Sequence, residues 1–278
     1  MPTSVSESFI KLFESEVKLA YQQMASKCRQ CVRLKSGVTG STVQFPKLAK
    51  GIAQQKARHG EVPLMNAVHT YATATLGDWY APDYVDKLDE LKTNSDERGV
   101  LTQTGAMALG RKVDNIIFTA ARLSLASAQR IQTSGGLTKA KAQNAFKILN
   151  DKDVPDDGQR YAFVGPQQWN NLLDITEFAS SDFIGPGSMP WTAGTQAKKW
   201  LNTVWAMHTG LPTDSTDATR YCLMWHKTAI GMGEGIGVTS MIDWVPERAA
   251  YLIDNMVSSG AVAIDGEGIV QIDCNDTA

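Results

Sequence analysis

Several features that mark particular classes of protein are scarce or missing in this sequence. No run of about 18 apolar residues occurs, so no transmembrane helix is predicted. The N-terminus lacks the basic and apolar regions of a secretory signal peptide, and four cysteines in 278 residues are too few for a disulfide scaffold. A net charge of −2 lacks the basic excess of proteins that grip nucleic acid. We therefore expect a chain that is made and used in a cytoplasm, with reduced thiols.

Recognisable catalytic and metal-binding motifs are also missing. The pair Cys28-x-x-Cys31 has no second cysteine or histidine pair to complete a tetrahedral zinc site. The glycines of 231–237 match neither phosphate-binding pattern and predict a flexible loop. The four histidines are scattered, and no Gly-x-Ser-x-Gly elbow is present. We therefore predict no catalytic residue, no cofactor and no metal ion.

The sequence does contain a helical first part and a mixed α+β second part. A capping box at Ser4 begins a helical pattern whose narrow apolar stripe includes Ile10 and Phe13. A longer helical pattern runs over 95–131, with apolar residues at 3–4 spacing. Other elements follow from the same periodicities: helices at 80–92, 138–150 and 166–173, strands at 161–164, 200–208, 220–225 and 237–243, and a terminal hairpin that pairs 262–264 with 270–272.

Residues 33–77 have the composition of a long hairpin or loop. Short β-like segments at 41–46 and 68–76 flank a polar stretch punctuated by glycine. Two extended strands of about 17 residues would reach about 55 Å. Because a two-stranded arm is at best marginally stable alone in water, we expect a neighbouring subunit to cover it.

Charge is distributed unevenly along and after this segment. Six basic residues and no acidic one occur from Arg33 to Gly60, whereas seven acidic residues and two lysines occur from Asp78 to Glu97. This asymmetry predicts pairing between subunits. The alternative is two solvated faces, since exposed ion pairs contribute little. The predicted inter-subunit contacts, including the apolar pair near the N-terminus, are Ile10, Phe13, Lys47, Lys50, Lys56, Arg58, Asp83, Asp86, Asp89 and Glu90.

Several blocks, in content and in order, resemble one known family. They are SESFIKLFESEVKLAYQQ at 6–23, GSTVQFPKLAKGIAQQKARHGEVPLMN at 40–66, DWYAPDYVDKLDELKTNSDER at 78–98, RYAFVGPQQWNNLL at 160–173, WHKTAIGMGEG at 225–235 and DWVPERAAYLIDNMVSSGAVAIDGEGIVQIDC at 243–274. Together these blocks resemble the major capsid proteins of tailed double-stranded DNA phages and prophages, which have the Hong Kong 97-type capsid fold.

The resemblance implies a fold and a division of the chain. Its parts would be an N-terminal arm at 1–32, an extended E-loop hairpin at 33–77, a peripheral domain with a long spine helix at 78–159, an axial domain at 160–245, and a C-terminal return to the peripheral domain at 246–278.

The resemblance also implies partners and a location. Copies of the chain would form hexamers and pentamers of an icosahedral virion shell, assembled in the host cytoplasm with portal and scaffolding proteins and, in some shells, decoration proteins. The shell would enclose double-stranded DNA without sequence-specific binding and without a membrane. Two alternatives stay open: an encapsulin-like protein compartment and an enzyme whose site the sequence does not reveal.

Overall fold

A computed structural model describes residues 22–23, 25–90, 97–132, 134–179, 197–214 and 218–276. The predicted N-terminal helix, with Ile10 and Phe13, lies outside these residues. The described strands are β1 (Arg33–Ser36), β2 (Thr42–Leu48), β3 (His69–Thr75), β4 (Gly77–Tyr80), β5 (Asp83–Asp86), β6 (Arg130–Ile131), β7 (Arg160–Val164), β8 (Ala197–Trp200), β9 (Thr203–Met207), β10 (Thr219–His226), β11 (Ile230–Val245), β12 (Ala250–Ala263) and β13 (Ile269–Asn275). The helices are α1 (Lys87–Glu90), α2 (Glu97–Leu123), α3 (Lys139–Asp151), α4 (Pro166–Leu173) and α5 (Thr176–Ala179).

The long helix α2 confirms most of the helical pattern predicted over 95–131. Its 27 residues span about 40 Å, and Leu109, Val113 and Ile117 are buried on one face. The predicted end is wrong, because the chain leaves the helix after Leu123, whose side chain is 82% exposed, and turns into β6.

Two glycines of α2 allow other parts of the chain to cross it closely. A Cβ at Gly105 would lie 2.1 Å from Nδ2 of Asn255, and one at Gly110 would lie 3.1 Å from the Ser26 backbone nitrogen. Glycine weakens a helix relative to alanine. Here the close approach of two neighbouring segments accounts for both positions.

The first sheet packs on α2. Its order is β1-β11-β12-β4, and β5 also pairs with β12. Strands β11 and β12 form a long antiparallel hairpin with irregular register between Glu234 and Thr239. Residues 83–86 of the helix predicted at 80–92 form β5, and among the described residues 80–90 only α1 is helical, so that prediction is mostly wrong. Pairing with β12 holds residues 83–86 extended.

The glycines of 231–237 lie in β11, so the predicted flexible loop is wrong. Gly231 pairs with Val262, and Gly233 pairs with Gly260 in β12. Ladder hydrogen bonds on this strand outweigh the low strand propensity of glycine.

The second sheet has the order β6-β13-β10-β7-β9-β8. Helix α3 contacts β13, and α4 begins at Pro166 directly after β7. The predicted strand 200–208 is two strands, because Leu201 and Asn202 adopt left-handed conformations in a tight turn between β8 and β9. The main core joins the sheets: Phe118 of α2 meets Phe163 of β7 and Trp225 of β10 edge-on.

The terminal hairpin is also wrong. Strand β12 pairs with β11, β4 and β5, whereas β13 pairs with β10 and β6. Residues 264–268 therefore carry the chain from one sheet to the other. Two neighbouring strands joined by a glycine turn usually pair with each other. Here each of them pairs with other strands instead. The domain boundaries implied at 159/160 and 245/246 do not coincide with the sheets, because β6 and α3, before residue 160, and β13, after 245, go with the second sheet, whereas β11 belongs to the first. The domain division stays a prediction.

Candidate assembly surfaces and a buried polar cluster

We call β2, β3 and the connecting residues 49–68 the hairpin arm. The strands pair antiparallel from Thr42↔Thr75 to Leu48↔His69, which confirms the strands predicted at 41–46 and 68–76. Each has seven residues and spans about 23 Å. The residues between them have no regular secondary structure. The paired strands therefore account for less than half of the length of about 55 Å that the sequence predicted for the arm.

The hairpin arm exposes many apolar side chains. Ile52 is 78% exposed and Leu64 is 73% exposed. The other exposed large apolar residues of the arm are Leu48, Val62, Met65, Val68 and Tyr71. A concentration of large exposed apolar side chains in one segment is typical of an interaction site in a folded protein. The prediction named only the basic residues of this segment, although the apolar residues of 62–68 were a usable signal.

The predicted basic contacts divide into two pairs. Lys56 and Arg58 are exposed near the end of the arm. Lys47 instead lies 2.8 Å from a carboxylate oxygen of Asp265, and Lys50 lies 3.4 Å from one of Asp153, both within the same chain.

The predicted acidic contacts lie on β5 and α1. Asp83 and Asp86 are exposed, and each accepts a backbone N–H close in sequence, from Tyr84 and Leu88 respectively. Neither carboxylate has an ion pair within the described part of the chain. Asp89 and Glu90 belong to α1, and their side chains lie outside the description.

More exposed apolar side chains lie at the far end of the first sheet, a region that we call the distal patch. Alternation along the strands places Tyr84 and Met241 on one face of the sheet and Ile242 and Trp244 on the other, and Leu88 follows in α1. Cations lie over its rings: Lys87 is 5.6 Å from the Trp244 centroid and Arg248 is 4.6 Å from that of Tyr84. Sequence reasoning missed this surface, because neighbouring apolar residues in a strand indicate burial and not exposure.

A buried polar cluster surrounds Asp114 of α2. Its carboxylate accepts hydrogen bonds from the Ser26 hydroxyl, from the backbone N–H groups of Lys27 and Cys28, both at 3.1 Å, and from His208 Nε2 at 2.8 Å. Burial opposes ionisation, but these hydrogen bonds outweigh it and lower the pKa of Asp114. The cluster fastens residues 26–28 to the helix.

Cys28, Asp114 and His208 bring three possible metal ligands within 4.8 Å of one another. The hydrogen bonds argue against a metal site. The Gly210 N–H donates to Nδ1 of His208 at 2.9 Å, so the neutral ring carries its proton on Nε2, the atom that faces Asp114. Burial and the nearby carboxylate also raise the pKa of the Cys28 thiol. The residues therefore fit a hydrogen-bonded cluster better than a coordination sphere.

The Cys28-x-x-Cys31 pair is packed into the fold. Cys28 is buried and Cys31 is half-buried. Burial, followed by the charge of Asp114, raises the pKa of Cys31 to about 11. Thiols that stay protonated are poor nucleophiles and metal ligands.

None of the described helices is long and apolar enough to cross a membrane.

Comparison with known proteins identifies a matching family and several solved structures with a similar architecture. A family model described as phage capsid protein matches residues 5–276. The capsid structure of the cyanophage P-SCSP1u is similar with a TM-score of 0.74 and 17% identity, over 98% of this chain and 94% of that one. A structure from Mycobacterium phage Che8 has a TM-score of 0.70 and 16% identity, over 98% and 99% of the two chains.

A third similar structure is the capsid of Ralstonia phage GP4, with a TM-score of 0.71 and 12% identity over 99% and 98%. No curated protein sequence matches this chain significantly. The structural matches confirm the Hong Kong 97-type fold, and the family match covers nearly the whole chain. The chain therefore belongs to the phage capsid protein family and is a structural protein of the phage head.

Proposed function

We propose that copies of this chain assemble as hexamers and pentamers into a closed icosahedral shell. The observation that carries the proposal is the hairpin arm, which exposes Ile52, Leu64 and other apolar side chains that a neighbouring copy would cover. The buried core beneath it is extensive, so the exposed residues are not the remains of a poorly formed domain. The distal patch would be a second contact between copies.

The predicted inter-subunit residues keep their proposed role with one distinction. Lys56 and Arg58 are available to a neighbour's acidic surface at Asp83 and Asp86, because all four side chains are exposed. Pairing of Asp89, Glu90, Ile10 and Phe13 with a neighbour stays a prediction. Lys47 and Lys50 would contribute to contacts between copies only through the direction of the arm.

The domains that we propose follow the two sheets rather than the boundaries that the family resemblance implied. The peripheral domain would contain α2 with β1, β4, β5, β11 and β12, and the axial domain would contain the second sheet with α3 and α4. The N-terminal arm would keep its limits at 1–32, and the E-loop would be the hairpin arm at 42–75, because β1 and β4 belong to the first sheet.

The family resemblance supplies the rest of the proposal. The shell would enclose double-stranded DNA without reading its sequence, and it would be assembled in the host cytoplasm with a scaffolding protein, a portal and, where present, decoration proteins. We propose no enzymatic activity. An encapsulin-like compartment is the less favoured alternative, since the matching family is that of phage capsids.

The test is to purify particles of this protein and identify their contents. A phage head should contain double-stranded DNA, or scaffold before packaging, whereas an encapsulin-like compartment should contain cargo proteins. The ultraviolet absorbance ratio of intact particles, followed by nuclease and mass spectrometry, distinguishes the two. Particles filled with one cellular enzyme would contradict the proposal.

A further inference from the structure

The hairpin arm rests on its own subunit along three glycines of the first sheet, which we call the glycine seat: Gly231, Gly233 and Gly260. A Cβ at Gly231 would lie 2.8 Å from the Phe45 ring, and one at Gly233 would lie 2.5 Å from Val43. A Cβ at Gly260 would lie 2.0 Å from the backbone carbonyl oxygen of Thr75. Any side chain at these positions would push the arm away from the sheet.

Strand alternation explains why the glycines occur where they do. Gly233 and Gly260 are cross-strand partners and therefore face the same side of the sheet. Met232 and Ala261 are also partners and face the other side, where Met232 is buried in the main core. The sheet is thus a middle layer, smooth under the arm and apolar towards α2.

The underside of the arm matches this smooth surface. Val43, Phe45 and Ala74 are each at most 3% exposed, and Val262 and Ile264 pack against them. A two-stranded hairpin is marginal on its own. Here its apolar face is buried without any neighbouring subunit.

Charged groups hold the next part of the arm. Lys47 lies 2.8 Å from Asp265, and Lys50 lies 4.0 Å from Glu267 and 3.4 Å from Asp153. The two carboxylates at 265 and 267 belong to the turn that carries the chain between the two sheets. The side chains are partly exposed, so each pair is weak, but together they fix the angle at which the arm leaves the glycine seat.

We propose that the glycine seat and the carboxylates of the 265–267 turn set the direction of the hairpin arm within each subunit, before the arm meets a neighbour. The three glycines, Asp265 and Glu267 are positioning residues for assembly. Ordering the arm in advance reduces the entropy lost when subunits associate. The effect on assembly rests on the proposed function, whereas the contact itself does not.

The first test measures hydrogen exchange in the unassembled subunit. Peptides covering 42–48 and 69–75 should be protected in the unmodified chain. Gly260→Ala should accelerate their exchange by about tenfold or more, since the backbone of Thr75 must move. Gly237→Ala is the matched control, because a Cβ there meets nothing closer than Glu234 Oε1 at 3.5 Å. Unchanged exchange in Gly260→Ala would overturn the inference.

A charge exchange provides a second test that does not depend on a crowded substitution. Lys47→Asp should accelerate exchange in 42–48, and adding Asp265→Lys in the same chain should restore protection. Asp265→Asn separates loss of the charge from loss of the turn, because it removes the charge facing Lys47 but can still accept the Glu267 N–H that Asp265 accepts at 3.1 Å. Failure of the double variant to recover in the unassembled subunit would contradict an intramolecular contact.

Particle yield is read separately from exchange. Gly260→Ala should reduce the yield about fivefold or more relative to Gly237→Ala, as expected when arm order must be regained on association. If exchange responds as expected but the unmodified chain never forms particles with its scaffold, the seat stands and the proposed function fails. If Gly260→Ala loses protection yet assembles with full yield, the positioning role fails.

Discussion

Asp114 shows how a single buried carboxylate can join distant segments of a chain. Asp114 lies in α2 and accepts hydrogen bonds from residues 26–28 and from His208, so it joins three separate segments. Removal of the carboxylate leaves these donors buried without an acceptor, which is costlier than the loss of an exposed hydrogen bond.

Replacing Asp114 with asparagine should destabilise the unassembled subunit by about 2–4 kcal/mol, because a charged acceptor of several buried donors is lost. Urea unfolding measures the change. Ser127→Ala, outside the cluster, provides a control expected to stay within about 0.5 kcal/mol. A value for Asp114→Asn within that range would contradict the anchoring role.

The lowered pKa of Asp114 also predicts a pH dependence. A carboxyl with a depressed pKa in the folded state adds stability above its unfolded pKa and loses it as the pH falls through the folded value. The unmodified subunit should therefore lose stability in acid more steeply than Asp114→Asn. Parallel curves of unfolding free energy against pH would contradict this.

Cys31 offers a chemical test at the same scale. Because its pKa is raised from 9.0 to about 11, its alkylation by iodoacetamide should still be accelerating at about pH 10, where an ordinary thiol is already mostly ionised. Cys28 should react more slowly still, since it is fully buried. Peptide mass spectrometry of each site follows the rates. A rate that has already levelled off by about pH 10 would show an accessible, ordinary thiol.

At the scale of elements, the hairpin arm can be tested without disturbing its buried face. Lys56→Glu with Arg58→Glu should impair assembly while the subunit keeps its stability within about 0.5 kcal/mol, because both side chains are exposed. The matched control is Lys147→Glu with Lys199→Glu, the same charge change on exposed residues of α3 and β8. Sedimentation quantifies particles.

Equal yields from the two double variants would contradict a specific role of the arm's charges. A fall in yield accompanied by loss of subunit stability would instead show that Lys56 and Arg58 support the fold.

The elements that sequence reasoning predicted correctly depend on local rules. Helices α3 and α4 have clear starts at Thr138 and Pro166, and β2 and β3 are β-rich segments bounded by polar loops. The errors arise where distant pairing decides. Residues 83–86 are extended because β12 lies beside them, and β13 leaves β12 because β10 is its partner.

The assembly surfaces were predictable only in part. Uneven charge indicated the arm and the acidic segment, but local sequence cannot show that Lys47 meets Asp265, more than 200 residues later. The distal patch was missed for the same reason. Met241 and Ile242 are apolar, but they are exposed because no other part of the described chain packs over them, and local sequence does not show this.

At the scale of the whole molecule, the two sheets share one core with α2, and the chain passes between them more than once. Strand β11 follows β10 directly into the other sheet, and β13 returns to pair with β10. The two regions are therefore tied by the short connections at 227–229 and 264–268 and by a common apolar cluster. The exposed apolar surfaces lie outside that core, on the hairpin arm and at the distal patch, as a subunit built to be covered by its own copies requires.

The most direct test of the account is negative-stain electron microscopy of the chain co-expressed with the proposed scaffolding protein, beside size-exclusion chromatography. The account predicts closed polyhedral shells, or rings of capsomers, that contain this chain as the major component. A chain that stays monomeric in the presence of that scaffold would contradict the claim that these surfaces build a shell.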